Sequence, residues 1–248
     1  MKRVSLLVLF QMFFLILCAQ RTHVIEPSVV EVSYVVKQEK LPVTFILRVG
    51  KTHTAYYAYD KYLSDSLASN PETGTLYLQD LLYKVEHKIP QPECSGMSDY
   101  VYQDLSTGHS RTYTSVMGSC YCIEDSLADF DWQDVCDSSM VICGYKCGMA
   151  KTHFRGRDWK VWYSVDIPVS TGPWKFNGLP GLVMKAECDG FMSIEANAIR
   201  SDNLSPVTFY NFFESKYSSL PREKYLKMKN NKNLYPAKTR FLPSMELE

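Results

Sequence analysis

The 248-residue chain has almost no net charge, no internal repeat and no low-complexity tract. Its 27 Lys and Arg balance 27 Asp and Glu, giving a formal charge of +0, so no whole-molecule field draws it to nucleic acid. Apolar residues make up 46% and charged residues 22%, which excludes a largely disordered chain. No apolar run follows the first seventeen residues at membrane-spanning length, so a polytopic membrane protein is excluded too. The common catalytic motifs are missing. There is no Gly-x-Ser-x-Gly elbow, no His-Glu-x-x-His zinc helix, no phosphate loop and no dinucleotide fingerprint. Glycosidase chemistry needs a raised acid and a cleft, and neither is readable from Asp129, Asp131 or their acidic neighbours. No cofactor is expected.

At the N-terminus, Lys2 and Arg3 precede an apolar stretch from Val4 to Leu17. The stretch is short for a span and has the order of an export signal. Cleavage after Ala19 is expected, giving residues 1–19 as signal and 20–248 as one domain. Loss of Lys2 and Arg3 leaves 25 basic against 27 acidic residues, a net charge of −2. The alternative is a lipid anchor on Cys18, for which bulky Leu17 is a poor neighbour. Either route places the protein in the periplasm or outside the cell.

Seven cysteines follow the signal: Cys94, Cys120, Cys122, Cys136, Cys143, Cys147 and Cys188. An oxidising compartment favours pairing, and an odd number leaves one thiol over. Six of them fall between residues 94 and 147, which reads as a disulfide-stapled subregion. Cys120-x-Cys122 is too tight for a usual zinc pair, and no histidine falls at a matching spacing. No metal is expected.

The periodicity is mostly that of strands. Alternation predicts them around Val32–Val36, over Val43–Val49 and over Thr54–Tyr59, with a turn at Gly50-Lys51. Lys61–Ser69 reads as a short helix or excursion, and Leu76–Val85 as a strand. Short strands are expected at Tyr100–Tyr102 and Arg111–Val116, and a longer one over Gly144–His153. Asp158–Ile167 is the strongest, with Trp159, Val161, Tyr163, Val165 and Ile167 on one face. Trp162 falls on its polar face, as a binding group beside Arg157 and Lys160 or under a second layer. Leu182–Cys188 and Met192–Ala198 form a hairpin about Asp189-Gly190. Pro221 opens a helix reaching about Asn230, and the tail beyond is expected to be weakly ordered. Nine carboxylates face Arg111 alone between Glu93 and Asp137, while seven Lys and Arg face Glu223 alone between Arg222 and Arg240. Such regions can dock on each other or on a partner.

Turn signals crowd Gly172-Pro173-Trp174-Lys175-Phe176-Asn177-Gly178-Leu179-Pro180-Gly181-Leu182-Val183. This segment resembles the signature of the GLPGLI family of exported Bacteroidetes proteins, with Val183 at the final position. Phe154-Arg155-Gly156-Arg157-Asp158-Trp159, Trp162-Tyr163, Asp166-Ile167-Pro168, Gly144-Tyr145-Lys146-Cys147 and Tyr62-Leu63-Ser64-Asp65-Ser66 are similar to other family segments. The cysteines near Cys94, Cys120 and Cys136 depart from the family. The resemblance carries no catalytic residues. It implies a β-rich α+β fold with a large curved antiparallel sheet, a half-barrel like that of lipoprotein carriers, and a short C-terminal helix. Arg155, Arg157, Trp159, Trp162, Trp174, Phe176, Gly178, Leu179, Pro180, Gly181 and Leu182 form the motif and a candidate binding rim.

The expected function is a non-enzymatic binding or accessory protein of the cell envelope. Its partner would be an envelope protein or a component of outer-membrane transport, with no nucleic acid involved. One alternative is a secreted hydrolase in which His153 or His109 meets a carboxylate or a free cysteine. Another is a periplasmic carrier of an apolar ligand.

Overall fold

The computed structural model describes residues 21–236 and 241–247, apart from the side chains of Cys136 and Asp137. The expected signal segment and Cys18 lie outside those residues. Among the described residues no helix is long and apolar enough to cross a membrane.

Twelve strands form one open sheet, antiparallel throughout except for a short parallel pairing at one edge. The first hairpins are β2 (Val30–Lys37), β3 (Val43–Val49) and β4 (His53–Ala58). Two helices follow, α1 (Tyr59–Ser69) and α2 (Gly74–Glu86). The chain returns as β5 (Tyr100–Asp104), β6 (His109–Val116) and β7 (Ser119–Ser126). It then crosses to the other edge as β8 (Gln133–Ile142), β9 (Tyr145–Phe154), β10 (Arg157–Ser164), β11 (Leu182–Cys188) and β12 (Met192–Arg200). β1 (His23–Glu26) pairs with β13 (Val207–Phe209) outside this sheet, and β14 (Ser218–Ser219) lies along β7. A last helix, α3 (Arg222–Lys229), begins directly after Pro221. The spatial order β14-β7-β6-β5-β4-β3-β2-β12-β11-β10-β9-β8 is that of a large antiparallel sheet that does not close into a barrel.

The sheet curls. Arg155, in the β9–β10 turn near one edge, reaches Asp125 on β7 near the other at 2.6 Å. Alternation then sorts the strands into two cores. Val32, Tyr34, Phe45, Leu47, Tyr56, Trp159, Val161 and Met184 share the inner core with the 171–181 loop. Ala55, Tyr57, Tyr100, Tyr102 and Tyr113 share the outer one with Val207, Phe209 and Tyr210. On that outer side Arg48 donates to Glu31 at 2.8 Å and to the Tyr210 hydroxyl. Burial would raise the Glu31 carboxyl, but Arg200 and Arg48 hold it below its ordinary value. Arg48→Met should therefore cost about 2 kcal/mol, because it strips a buried carboxylate and a phenol of their donor. Urea unfolding at pH 7 measures this.

The structure departs from the sequence reading at four places. Leu76–Val85 is helix, not strand. Leu78, Leu81, Leu82 and Val85 repeat at helical spacing. β7 and β8 form where no strand is foreseen, since their polar, serine-rich sequences carry weak alternation. The strand expected to reach Ile167 stops at Ser164, and a bulge at Trp162/Tyr163 breaks its alternation. Trp162 is buried, with the Lys185 ammonium 5.2 Å from its ring. Lastly, the tail is not loose at its end, because Ser244, Met245 and Glu246 are buried.

No bridge joins the six described cysteines, Cys94, Cys120, Cys122, Cys143, Cys147 and Cys188. Cys94, Cys147 and Cys188 pack in the inner core, while Cys122 lies in the outer one. Cys120 and Cys122 share a single strand.

Candidate functional site

The motif loop fills the hollow of the sheet, and its glycines are placed by contact. A Cβ on Gly181 would stand 2.0 Å from the Ser164 carbonyl oxygen, and one on Gly172 would stand 2.5 Å from Val183 Cβ. Gly178 has φ +88°, which favours glycine. The loop is pinned at its ends, where Val183 N donates to Thr171 O at 3.0 Å and Leu182 N to Ile167 O at 3.0 Å. Trp132 Nε1 donates to Asn177 O at 2.9 Å, and Asn177 Nδ2 to Ala128 O at 3.1 Å. Trp159, Trp174, Phe176, Leu179 and Leu182 are all buried. The rings of Trp159 and Trp174 meet Phe176 edge-on at 5.1 and 5.5 Å. These aromatic groups are thus core, and of the motif only Gly178 and Pro180 are exposed.

Beside the loop, three cations gather around one carboxylate of the chain itself. Lys175 Nζ lies 2.6 Å from Glu246 Oε1. Arg155 and Arg222 reach Glu246 Oε2 at 2.9 and 3.1 Å. Both the Lys175 and Glu246 side chains are 7% exposed. Asp125 shares Arg155 and stands 3.9 Å from Lys175. Burial would raise the Glu246 carboxyl, but Lys175 and Arg155 together hold it below its ordinary 4.5. Main-chain contacts fix the same segment. Arg157 Nε donates to Ser244 O at 3.0 Å, Leu247 N to Arg155 O at 3.0 Å, and Ser95 Oγ to Pro243 O. The Arg157 guanidinium also lies 3.5 Å from the centre of the Phe191 ring. Thr112, Ile123, Trp174, Tyr225 and Leu226 line the floor near Met245.

Arg155, Arg157 and Lys175 of the Trp174–Phe176 turn are brought together around the 244–246 segment. Lys175, Asp125, Arg222 and Glu246 complete the site and are not foreseen. They lie 24 to 121 residues apart in pairs from Glu246, and no local spacing links them. The one sequence signal is charge: Asp125 lies in the acidic stretch and Arg222 opens the basic one, though they meet different partners, Arg155 and Glu246.

Two other clefts gather polar groups. One, of about 190 Å³, is lined by His23, His53, His109, Asp104, Arg111 and Tyr102 among others. There His53 stands 3.5 Å from Glu26 and 3.8 Å from Asp104. The other, of about 250 Å³, is lined by Lys61, Asp65, Tyr100, Tyr113, Tyr217 and neighbours. His153 binds Asp158 at 2.6 Å on open surface. Burial pushes the Cys94 thiol up to about 12 and Cys147 up to about 11, the opposite of a nucleophile's shift. Among the described residues no three His, Cys, Asp or Glu side chains gather to hold a metal ion.

No curated protein matches the chain. Among solved structures, the fold is similar to PNGF-II in C2 and P21 space groups. Each has a TM-score of 0.52 and 15% identity over 84% of this chain. The chain spans about a third of those proteins, 32% and 33% of their lengths. MucB in complex with MucA(peri) overlaps more loosely, with a TM-score of 0.30 and 9% identity over 79% of this chain and 57% of that one. By sequence, residues 155–185, from Arg155 through the motif loop into β11, match the model of a family described as a protein of unknown function (Porph_ging), the family to which the GLPGLI motif refers.

Proposed function

We propose that the protein is an exported, non-enzymatic binding or accessory protein of the cell envelope, and that it holds an extended polypeptide segment against its motif loop. One observation carries this reading. A glutamate of the 243–247 segment is seated in a buried pocket of Lys175, Arg155 and Arg222, while Arg157 and Arg155 grip the neighbouring main chain. Side-chain charge and backbone pairing together are how extended peptides are recognised. A partner presenting a carboxylate in an extended run would use the same groups after displacing the tail.

The test is rescue in trans with the synthetic octapeptide of residues 241–248. A full-length Glu246→Ala chain has a vacant carboxylate seat. It should bind the octapeptide with a dissociation constant in the micromolar range, and its thermal midpoint should rise on binding. The same peptide with Gln at position 246 should bind at least tenfold more weakly. The unaltered chain should also bind weakly, since its own tail competes at high effective concentration. A folded Glu246→Ala chain that ignores the octapeptide in calorimetric titration would overturn the proposal.

A further inference from the structure

The segment seated beside the motif loop is enclosed at three consecutive residues. Ser244, Met245 and Glu246 are buried, while Pro243 before them and Leu247 after them face outward, Leu247 at 54% exposure. Each of the three meets a different surface. Arg157 Nε donates to Ser244 O at 3.0 Å, and the Ser244 hydroxyl accepts from Glu246 N at 3.4 Å. Met245 lies over a floor made by Thr112 of β6, Ile123 of β7, Trp174 of the motif loop, and Tyr225 and Leu226 of α3. A Cβ on Gly96 would stand 3.9 Å from Met245 Cγ, so the 94–99 loop bounds the same side chain. The cavity left among these groups is about 30 Å³, the share of one water molecule. Glu246 places one oxygen on Lys175 and the other on Arg155 and Arg222. Against these three cations stands Asp125, so the seat without a carboxylate would hold surplus positive charge out of water.

We propose that the site reads a three-residue signature in a partner polypeptide: a small residue, then a long flexible apolar one, then glutamate. This rests on the reading that a partner's carboxylate takes the seat held by Glu246. The first position is small because Ser244 is enclosed with a guanidinium against its main chain. The second suits methionine, whose unbranched side chain adapts to a floor assembled from three separate elements, and leucine of similar volume. The remaining cavity does not admit an indole ring. The third distinguishes glutamate from aspartate, since a carboxyl group one methylene shorter does not reach Lys175 and the two arginines together. The flanking positions are held by main chain alone. Pro243 O accepts from Ser95 Oγ, and Leu247 N donates to Arg155 O at 3.0 Å. Side chains there are unread, but the position after glutamate must keep its N–H and so excludes proline.

The test is calorimetric titration of the full-length Glu246→Ala chain with octapeptides of residues 241–248. The host's own tail competes equally with every peptide, so ratios of dissociation constants report the signature alone. Relative to the unaltered octapeptide, Leu247→Ala should bind within about twofold and Met245→Leu within about threefold. Ser244→Leu, Met245→Ala, Met245→Trp and Glu246→Asp should each bind at least tenfold more weakly. Leu247→Pro should lose as much, through the main-chain donor rather than the side chain. Where the Glu246→Ala chain does not fold, the same ratios are read on the unaltered chain by ligand-observed NMR at millimolar peptide. A Met245→Ala, Ser244→Leu or Glu246→Asp peptide that binds as tightly as the unaltered one overturns the signature and leaves the carboxylate seat standing. So does a Leu247→Ala peptide that loses tenfold. An unaltered octapeptide that binds neither chain overturns the seat and the signature with it.

Discussion

Gly181→Val is expected to lower the thermal midpoint by about 10 °C, or to prevent folding outright. The reason is steric. The position a Cβ would take is 2.0 Å from Ser164 O, 2.5 Å from Ser164 C and 2.9 Å from Val165 Cα. All three are backbone atoms, so no rotamer change relieves the contact. Relief requires β10 and the motif loop to separate, which opens the core at Leu182 and Val183, both fully buried. Overpacking of this severity costs about 3–4 kcal/mol, at the upper end for a single substitution. For a chain of this size that corresponds to about 10 °C. Gly178→Ala is the internal comparison. Its penalty comes from φ +88°, and its nearest neighbour is the Trp132 ring at 3.4 Å, so about 1 kcal/mol is expected. Differential scanning calorimetry of the two variants separates a motif that builds the fold from one that only contacts a partner. A Gly181→Val protein with unchanged stability would refute the architectural role.

Glu246→Ala should be nearly as damaging, at about 3 kcal/mol at pH 7. It leaves Lys175 buried, with Asp125 as its remaining, more distant counter-charge. The pH dependence has a definite sign. The Glu246 carboxyl is held below its ordinary 4.5 in the folded chain. Its stabilising effect is therefore complete above about pH 4.5 and is lost as pH falls through the folded value. Urea unfolding of the unaltered chain and of Glu246→Gln should give a gap that is constant at neutral pH and shrinks below 4.5. A gap that stays constant down to pH 3 would show that Glu246 is not paired as described.

The two predictions concern opposite ends of what a sequence can disclose. The motif loop is legible because its information is local. Glycines and prolines at residues 172–181 restrict their own backbone, and Trp174 and Phe176 are apolar wherever they fall. The paired strands β2–β4 and β10–β12 are legible for a related reason, since alternating burial is written residue by residue. β7 and β8 are not, because their serines and carboxylates give little alternation to read. Leu76–Val85 misleads for another reason. Its apolar residues fit both periods over a short window, and as a helix it leaves them exposed, so burial offers no guide. Trp162 is buried although it falls on the polar face of its strand, beside a bulge in the β10–β11 register.

The amino-acid sequence alone determined that the chain is β-rich, and that glycines and prolines restrict the backbone of its 171–183 loop. These follow from backbone preferences and from spacings of a few residues. Only the tertiary structure decided what the cations beside that loop face. The curl of the sheet brings Asp125 on β7 to Arg155 at the opposite side, α3 delivers Arg222, and the end of the chain inserts Glu246 among them. A charge so placed is worth little in water and much in a buried pocket, and burial is a property of the assembled sheet rather than of any segment of the chain.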